Sequence, residues 1–309
     1  MIPEIRLLPE EKISFKQHTF EKFLGKYTGI GSTEHPEAIQ AIRIDLTRNI
    51  GKVLGDLQDE IQYSFDKEIG SCPEWKDMSV YTTVINVIAS LSARAFVGLP
   101  LCRDQEWLEK TKNFTRDAII LMHTNSLIPI SLRPYLSRFN PALWHLGGYR
   151  KFAGRKMLPQ VTSILNTYKE KLSGFKTMTE DEALAAAEEN NFNLVHWMIG
   201  HFKDPQNADA FELGGQQMTA AFAAIHTTGM AASHAIYDLA TYPDIAPVLR
   251  AEIEAVIAEE NFPDKRLRKT SMAKLRGLDS FMKESMRFSP PTIGLYYLTV
   301  VICDHAHET

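Results

Sequence analysis

Two short stretches in the C-terminal half of the sequence combine residue types that can do chemistry. The first is Ala223-Ala224-Ile225-His226-Thr227-Thr228, set within a long run rich in Ala, Gly and Ser. Thr and His are mediocre helix formers, so a Thr pair beside an ionisable ring in a helix interior asks for a reason. One reason is local: each Thr hydroxyl bonds back to the carbonyl four residues earlier, and His226 is a satisfied core histidine. The other is functional: Ala lets a flat ligand approach, a hydroxyl holds a polar atom or water, and His relays a proton. The second stretch is Glu284-Ser285-Met286-Arg287, followed by Phe288-Ser289-Pro290-Pro291. At i,i+3 its carboxylate and guanidinium share a helix face and can form a bidentate pair.

The elements that must position these stretches read as helices. Segment 35–69 places Ile39, Ile42, Leu46, Ile50, Val53, Leu54, Leu57 and Ile61 at three-to-four spacing, with Pro36 in the first turn. Ser79 caps a second helix over 79–97, closed by Gly98 with Pro100 just beyond. A third covers 104–123. Residues 124–148 carry Pro129, Pro134, Pro141, Gly147 and Gly148 among large apolar side chains, and read as a loop with short helical pieces. That loop is either a lip or membrane-facing surface, or a packed connection. Helical patterns resume over 149–173 and 180–202. Segment 208–241 ends before Pro243 and reads as a central helix that neighbours approach closely. Two more helices fit 245–260 and 271–288, and the one strand-like run is LYYLTVVI near the end. Without alternating strands and helices a doubly wound sheet is not expected, and the fold class is mainly α.

Composition removes several functions. The 309 residues hold 34 Lys plus Arg against 38 Asp plus Glu, a balance unsuited to a phosphate-backbone binder, so no nucleic acid is expected. Three scattered cysteines, Cys72, Cys102 and Cys303, give no disulfide framework. The first residues lack the apolar run of a signal peptide or anchor, and no stretch reaches the roughly 18 apolar residues that span a bilayer. Ser271-x-x-Lys274 and Ser280-x-x-Lys283 lack the partner motifs of a β-lactamase-like site, and LGGYRKFAGRK lacks phosphate-loop spacing. The terminal Cys303, Asp304, His305, His307 and Glu308 come from one element, unlike structural zinc ligands, and no metal ligand is assigned.

The order of the features is specific. HPEAIQAIRIDLTRNIG, SARAFVGLPLCRDQEWL, AAIHTT, ATYPDIAPVLRAEIEAVI and LDSFMKESMRFSPP follow one another over residues 20–300. In this the sequence resembles the cytochrome P450 family of heme-thiolate monooxygenases, in particular the membrane-bound kind of fungal secondary metabolism. The resemblance implies a partial, mainly α cytochrome P450 fold with little β structure. It implies heme b as cofactor, NADPH-cytochrome P450 reductase as electron donor, an apolar small-molecule substrate, and residence on the cytoplasmic side of the endoplasmic reticulum membrane.

Carried over by position, Thr227 matches the threonine that organises protons for O–O cleavage. His226 stands where many members carry Asp or Glu, and Ala224 where many carry Gly. Ala223, Ala224 and Thr228 are expected at the heme, and Arg43 at a propionate. Phe222, Ala223, Ile225, Thr228, Thr292, Ile293, Gly294 and Leu295 are expected to line the pocket, and Glu284 and Arg287 to brace their helix against the heme-binding core.

The family's iron ligand lies in an F-x-x-G-x-x-x-C-x-G loop beyond the Glu-x-x-Arg pair, and none of the three cysteines has that context. The expectation is therefore a single incomplete domain over 1–309, atypical at 301–309, truncated at both ends and inactive as it stands. The competing expectation is a non-catalytic fragment that keeps a helical apolar pocket.

Overall fold

The computed structural model describes residues 15–31, 36–129, 132–174, 193–264 and 266–290. Helices account for all the regular structure among the described residues: α1 (Phe15–Lys22), α2 (Gly25–Thr28), α3 (Glu37–Gln40), a π-helical turn (Ala41–Leu46), α4 (Thr47–Glu68), α5 (Val80–Phe96), α6 (Gln105–Ser126), α7 (Arg133–Leu136), α8 (Pro141–Gly174), α9 (Leu194–Gly200), α10 (Ala210–Thr241), α11 (Ile245–Glu260), α12 (Lys269–Met272) and α13 (Arg276–Phe288), with short 3-10 turns between some of them. This is the mainly α fold that the sequence implies. The strand-like run and residues 292–295 lie outside the described residues, as does most of segment 180–202.

Contacts divide the chain into two units. The described part of the first comes from Met1–Glu34 and Asp117–Gly147. Its buried side chains include Phe23, Ile30, Leu121 and Leu146, while Leu127, Tyr135, Phe139 and Trp144 stand largely exposed. The second comprises His35–Arg116 and Gly148–Pro291 and holds every site residue that the structure describes.

Local chemistry explains most helix ends in the second unit. Ser79 accepts a hydrogen bond from the Thr82 N–H at the start of α5, and Gly98 turns the chain at its end with φ +71°. Asp209 does the same for α10, accepting from the Glu212 N–H at 3.2 Å. Three expectations change. Helix α8 begins at Pro141 and includes Gly147 and Gly148, because proline suits the first helical position and the Asn140 side chain accepts from the Ala142 N–H at 3.0 Å. Segment 271–288 breaks into α12 and α13. Leu275 is buried in the intervening turn, Lys274 pairs with Glu259 at 3.0 Å, and both carboxylate oxygens of Glu252 cap the Gly277 and Leu278 N–H groups. In segment 35–69 the helical path is interrupted by the π-helical turn, and of its apolar stripe Val53 is buried whereas Ile39 and Ile61 are exposed.

The core of this unit is the packing of α5 against α10, backed by α4 on α5 and α13 on α10. Tyr81 meets His226 and, one turn further along both helices, Ile85 meets Gly229, so α5 and α10 run in the same direction. A Cβ at Gly229 would stand 2.4 Å from Ile85 Cδ1. Near the start of α10, a Cβ at Gly214 would stand 2.5 Å from the Gly154 backbone nitrogen of α8. The small residues of α10 therefore admit close neighbours on more than one side.

Candidate functional site

Helix α10 is buried in part: Phe211 near its start and Ile236 and Tyr237 near its end are exposed, and mid-way it carries a further, partly open strip. Ala223, Ala224, Thr227 and Thr228 occupy neighbouring positions at i, i+1, i+4 and i+5, with Ala223 and Thr228 exposed and the other two partly so. Ile225 faces elsewhere: it is 1% exposed and belongs to the buried seam of Met218, Ala221 and Gly229. Phe222 is partly buried. The Thr227 hydroxyl donates to the Ala223 carbonyl at 2.6 Å, the local bond that a helix-interior threonine makes. Its oxygen keeps lone pairs on the open side.

His226 is half-buried between α10 and α5. Its Nδ1 lies 3.0 Å from the Tyr81 hydroxyl, and its Nε2 is buried with no hydrogen-bond partner among the described residues. Burial pushes the imidazole pKa below its ordinary value, so the ring is neutral near pH 7. Burial likewise raises the Tyr81 phenol, which stays protonated.

Arg43 lies exposed on the π-helical turn and makes no ion pair among the described residues. Two residues on, Asp45 accepts from His201 Nε2 at 2.5 Å. Glu284 and Arg287 do form the bidentate pair expected from their spacing, at 2.8 and 2.7 Å, and its side chains are 57% and 62% exposed. The hydrogen bond holds the Glu284 carboxyl below its ordinary pKa.

Of the cysteines, Cys72 is exposed and Cys102 is fully buried. Desolvation, followed by the nearby Glu60 carboxylate, pushes the Cys102 thiol up to about 11, so it is a packed thiol rather than a thiolate. Cys303 lies outside the described residues.

A cleft of about 790 Å³ in the second unit is lined by Asp56, Arg94, Leu99, Lys156 and His196 among others, and shares no residue with 222–228. Its charges are paired internally, Arg94 with Asp56 at 2.9 Å and Lys156 with Asp104 at 2.8 Å. The open strip on α10, with its hydroxyls and adjacent imidazole, has the chemistry for handling a bound polar atom. Sequence reasoning missed Tyr81, whose only signal is its place near the start of α5.

A helix bearing this strip, followed by a helix with the Glu284 and Arg287 pair, defines the architecture of a known class. The family model for Cytochrome P450 matches residues 77–298, and the chain belongs to the cytochrome P450 family. Among curated proteins it is 38% identical over 293 residues to the cytochrome P450 monooxygenase ascG of Acremonium egyptiacum, covering 93% of this chain and 53% of the relative. It is 37% identical over 313 residues to BOA7 of Botryotinia fuckeliana, covering 94% and 54%, and 32% identical over 295 residues to olcJ of Penicillium canescens, covering 94% and 52%. The chain spans about half the length of these relatives.

Proposed function

We propose that this chain forms the oxygen-activating and substrate-facing part of a fungal heme monooxygenase. The reaction inserts one oxygen atom from dioxygen into an apolar small molecule of secondary metabolism. The observation that carries the reading is the juxtaposition, mid-way along α10, of the partly open strip Ala223, Ala224, Thr227 and Thr228 with the His226 imidazole. Two alanines and two threonines, of which Thr227 is bonded back to the Ala223 carbonyl, make a low surface that a flat macrocycle can lie against, and the His226 Nε2, without a partner among the described residues, lies beside it.

Heme b, when bound, supplies the reduction and cleavage of dioxygen, with electrons from an NADPH-cytochrome P450 reductase. The chain's own residues bind, orient and move protons. Ala223 and Ala224 allow close approach. Thr227 can turn its hydroxyl from the Ala223 carbonyl towards a polar atom on the open side, at the loss of one local hydrogen bond. His226, neutral and adjacent, supplies a proton without first bearing a buried charge. The exposed guanidinium of Arg43 is the group for a propionate, and the solvated Glu284 and Arg287 pair orders its own helix, α13. Phe222 and residues 292–295 are the proposed substrate contacts, with Ile225 packed behind the strip. No described helix is long and apolar enough to cross a membrane. Residence at the endoplasmic reticulum and a single domain of this family belong to the same proposal.

The test is a graft. Residues 77–290 replace the matching segment of the Acremonium egyptiacum relative, and oxygenated product from that enzyme's own substrate is measured with NADPH and reductase. Product formation is the expected result. A graft that takes up heme and consumes no NADPH overturns the reading.

A further inference from the structure

His226 is the one residue of the 223–228 stretch whose ring is hydrogen-bonded from another helix. We propose that Tyr81 is a positioning residue for His226: its phenol donates to Nδ1, fixes the ring proton on Nε2, and connects that inward N–H to solvent through a single hydroxyl. The purpose of this arrangement rests on the monooxygenase reading; its geometry does not.

The direction of the hydrogen bond follows from acidity. A phenol, with a pKa of about 10, is a far stronger acid than the N–H of a neutral imidazole, and an imidazole nitrogen is a better acceptor than a phenol oxygen. The proton between Tyr81 and His226 therefore sits on oxygen and points at Nδ1, 3.0 Å away. A neutral ring has one N–H, so with Nδ1 accepting it lies on Nε2. That Nε2 is buried and unpartnered among the described residues, a costly state for a donor unless a water or ligand lone pair meets it. Meanwhile Tyr81 is 40% exposed, so its oxygen can still take a proton from water.

The proton balance closes. The Nε2 proton passes to an acceptor on the inner side, the Tyr81 phenol proton moves to Nδ1, and water returns one to the phenol oxygen. One proton leaves solvent and one arrives at the acceptor, while the imidazole changes tautomer and never carries a net charge. One transfer leaves the ring as the Nδ1–H tautomer, and exchange of the ring protons with water returns it to the Nε2–H form. This suits a histidine whose burial disfavours the imidazolium, where a surface-linked carboxylate would carry its charge openly.

The direct test is nitrogen NMR of the whole chain labelled with 15N-histidine. The native ring is expected to show the Nε2–H tautomer with a hydrogen-bonded Nδ1, and Tyr81→Phe to move the Nδ1 resonance to that of an unbonded ring nitrogen at unchanged helical circular dichroism. An Nδ1–H tautomer in the native chain, or ring resonances that do not move in Tyr81→Phe, overturns the proposal. If Tyr81→Phe loses its helical signal, 3-fluorotyrosine at position 81 keeps the shape and makes the hydroxyl more acidic. It should move the Nδ1 resonance in the direction of a stronger bond, and no movement has the same force against the proposal. In the graft, Tyr81→Phe should raise peroxide release severalfold with substrate KM unchanged and 3-fluorotyrosine restoring coupling; unchanged coupling counts against the proton route. Failure of the monooxygenase reading appears instead as a graft without turnover beside an intact Tyr81 signal.

Discussion

Ser285 Oγ donates to Asp238 Oδ2 at 2.5 Å, tying α13 to the last turns of α10. Ser285 is 3% exposed and sits between the two members of the Glu284 and Arg287 pair, both of which face outward. In the described chain it is thus the serine that fastens this helix to the helix of the candidate site.

Ser285→Ala should lower stability by about 1.5–3 kcal/mol, the scale of a hydrogen bond to a charged acceptor that loses its donor. Arg287→Ala should leave the melting temperature unchanged, because its ion pair is solvated and within one helix. Urea unfolding of both variants decides the matter. A larger loss for Arg287→Ala would mean that the pair braces more than its own helix.

A buried charge on α4 is met from the turn after α5. Glu60, 0% exposed on α4, receives Arg103 through Nε and Nη2 at 3.1 and 3.0 Å, and the guanidinium also lies 3.7 Å from the centre of the Tyr63 ring. Arg103→Ala strands the carboxylate and should cost about 3–5 kcal/mol. Glu60→Gln removes the buried charge and leaves a partly exposed Arg103 to water, so it should cost clearly less. Equal losses in a denaturant titration would contradict this asymmetry.

Stability should also fall in mild acid. Burial pushes His196, in the cleft between Arg94 and Lys156, down to about 4. Unfolding returns the ring to its ordinary value near 6.5, so between the two values the unfolded chain binds more protons than the folded one. The contribution is complete above about pH 6.5 and is lost as pH falls towards 4, by up to roughly 3 kcal/mol. The urea midpoint should therefore drop from pH 7 to pH 4.5, and drop less in His196→Gln. The same slope in both would remove His196 as the cause.

Much of this structure is legible in the sequence because it is set by local chemistry. Ser79 and Gly98 bound α5, the small residues of α10 announce close packing, and the three-residue spacing of Glu284 and Arg287 fixes their pair. What escapes is set by tertiary contact. Nothing in the spacing of segment 271–288 shows that Glu252, from another helix, caps α13 at Gly277. Nor does the apolar spacing of segment 35–69 show that Ile39 and Ile61 stay exposed. The half-helical loop at 124–148 misled for a different reason: Pro141 reads as a breaker, yet at the first position of α8 it starts a helix. Of the local reading of AAIHTT the structure shows one half: Thr227 bonds back to Ala223, whereas His226 has one bonded nitrogen and one without a partner among the described residues.

Cysteine chemistry gives a further check. Iodoacetamide at pH 7.5 should modify Cys72 in the folded chain and spare Cys102, whose buried thiol is held protonated. Mass mapping of the peptides reads this, and rapid loss of the Cys102 thiol without denaturant would contradict its burial.

The central claim is that the strip Ala223, Ala224, Thr227 and Thr228 handles oxygen. The most direct measurement is the partition of electrons between product and peroxide in the graft, native against Thr227→Ala, with Thr227→Ser as the control that keeps the hydroxyl. The account predicts that alanine diverts most of the NADPH-derived electrons to hydrogen peroxide at unchanged heme content, while serine retains product formation. Equal coupling in all three would contradict it, and would leave the Thr227 hydroxyl with no role beyond its bond to the Ala223 carbonyl.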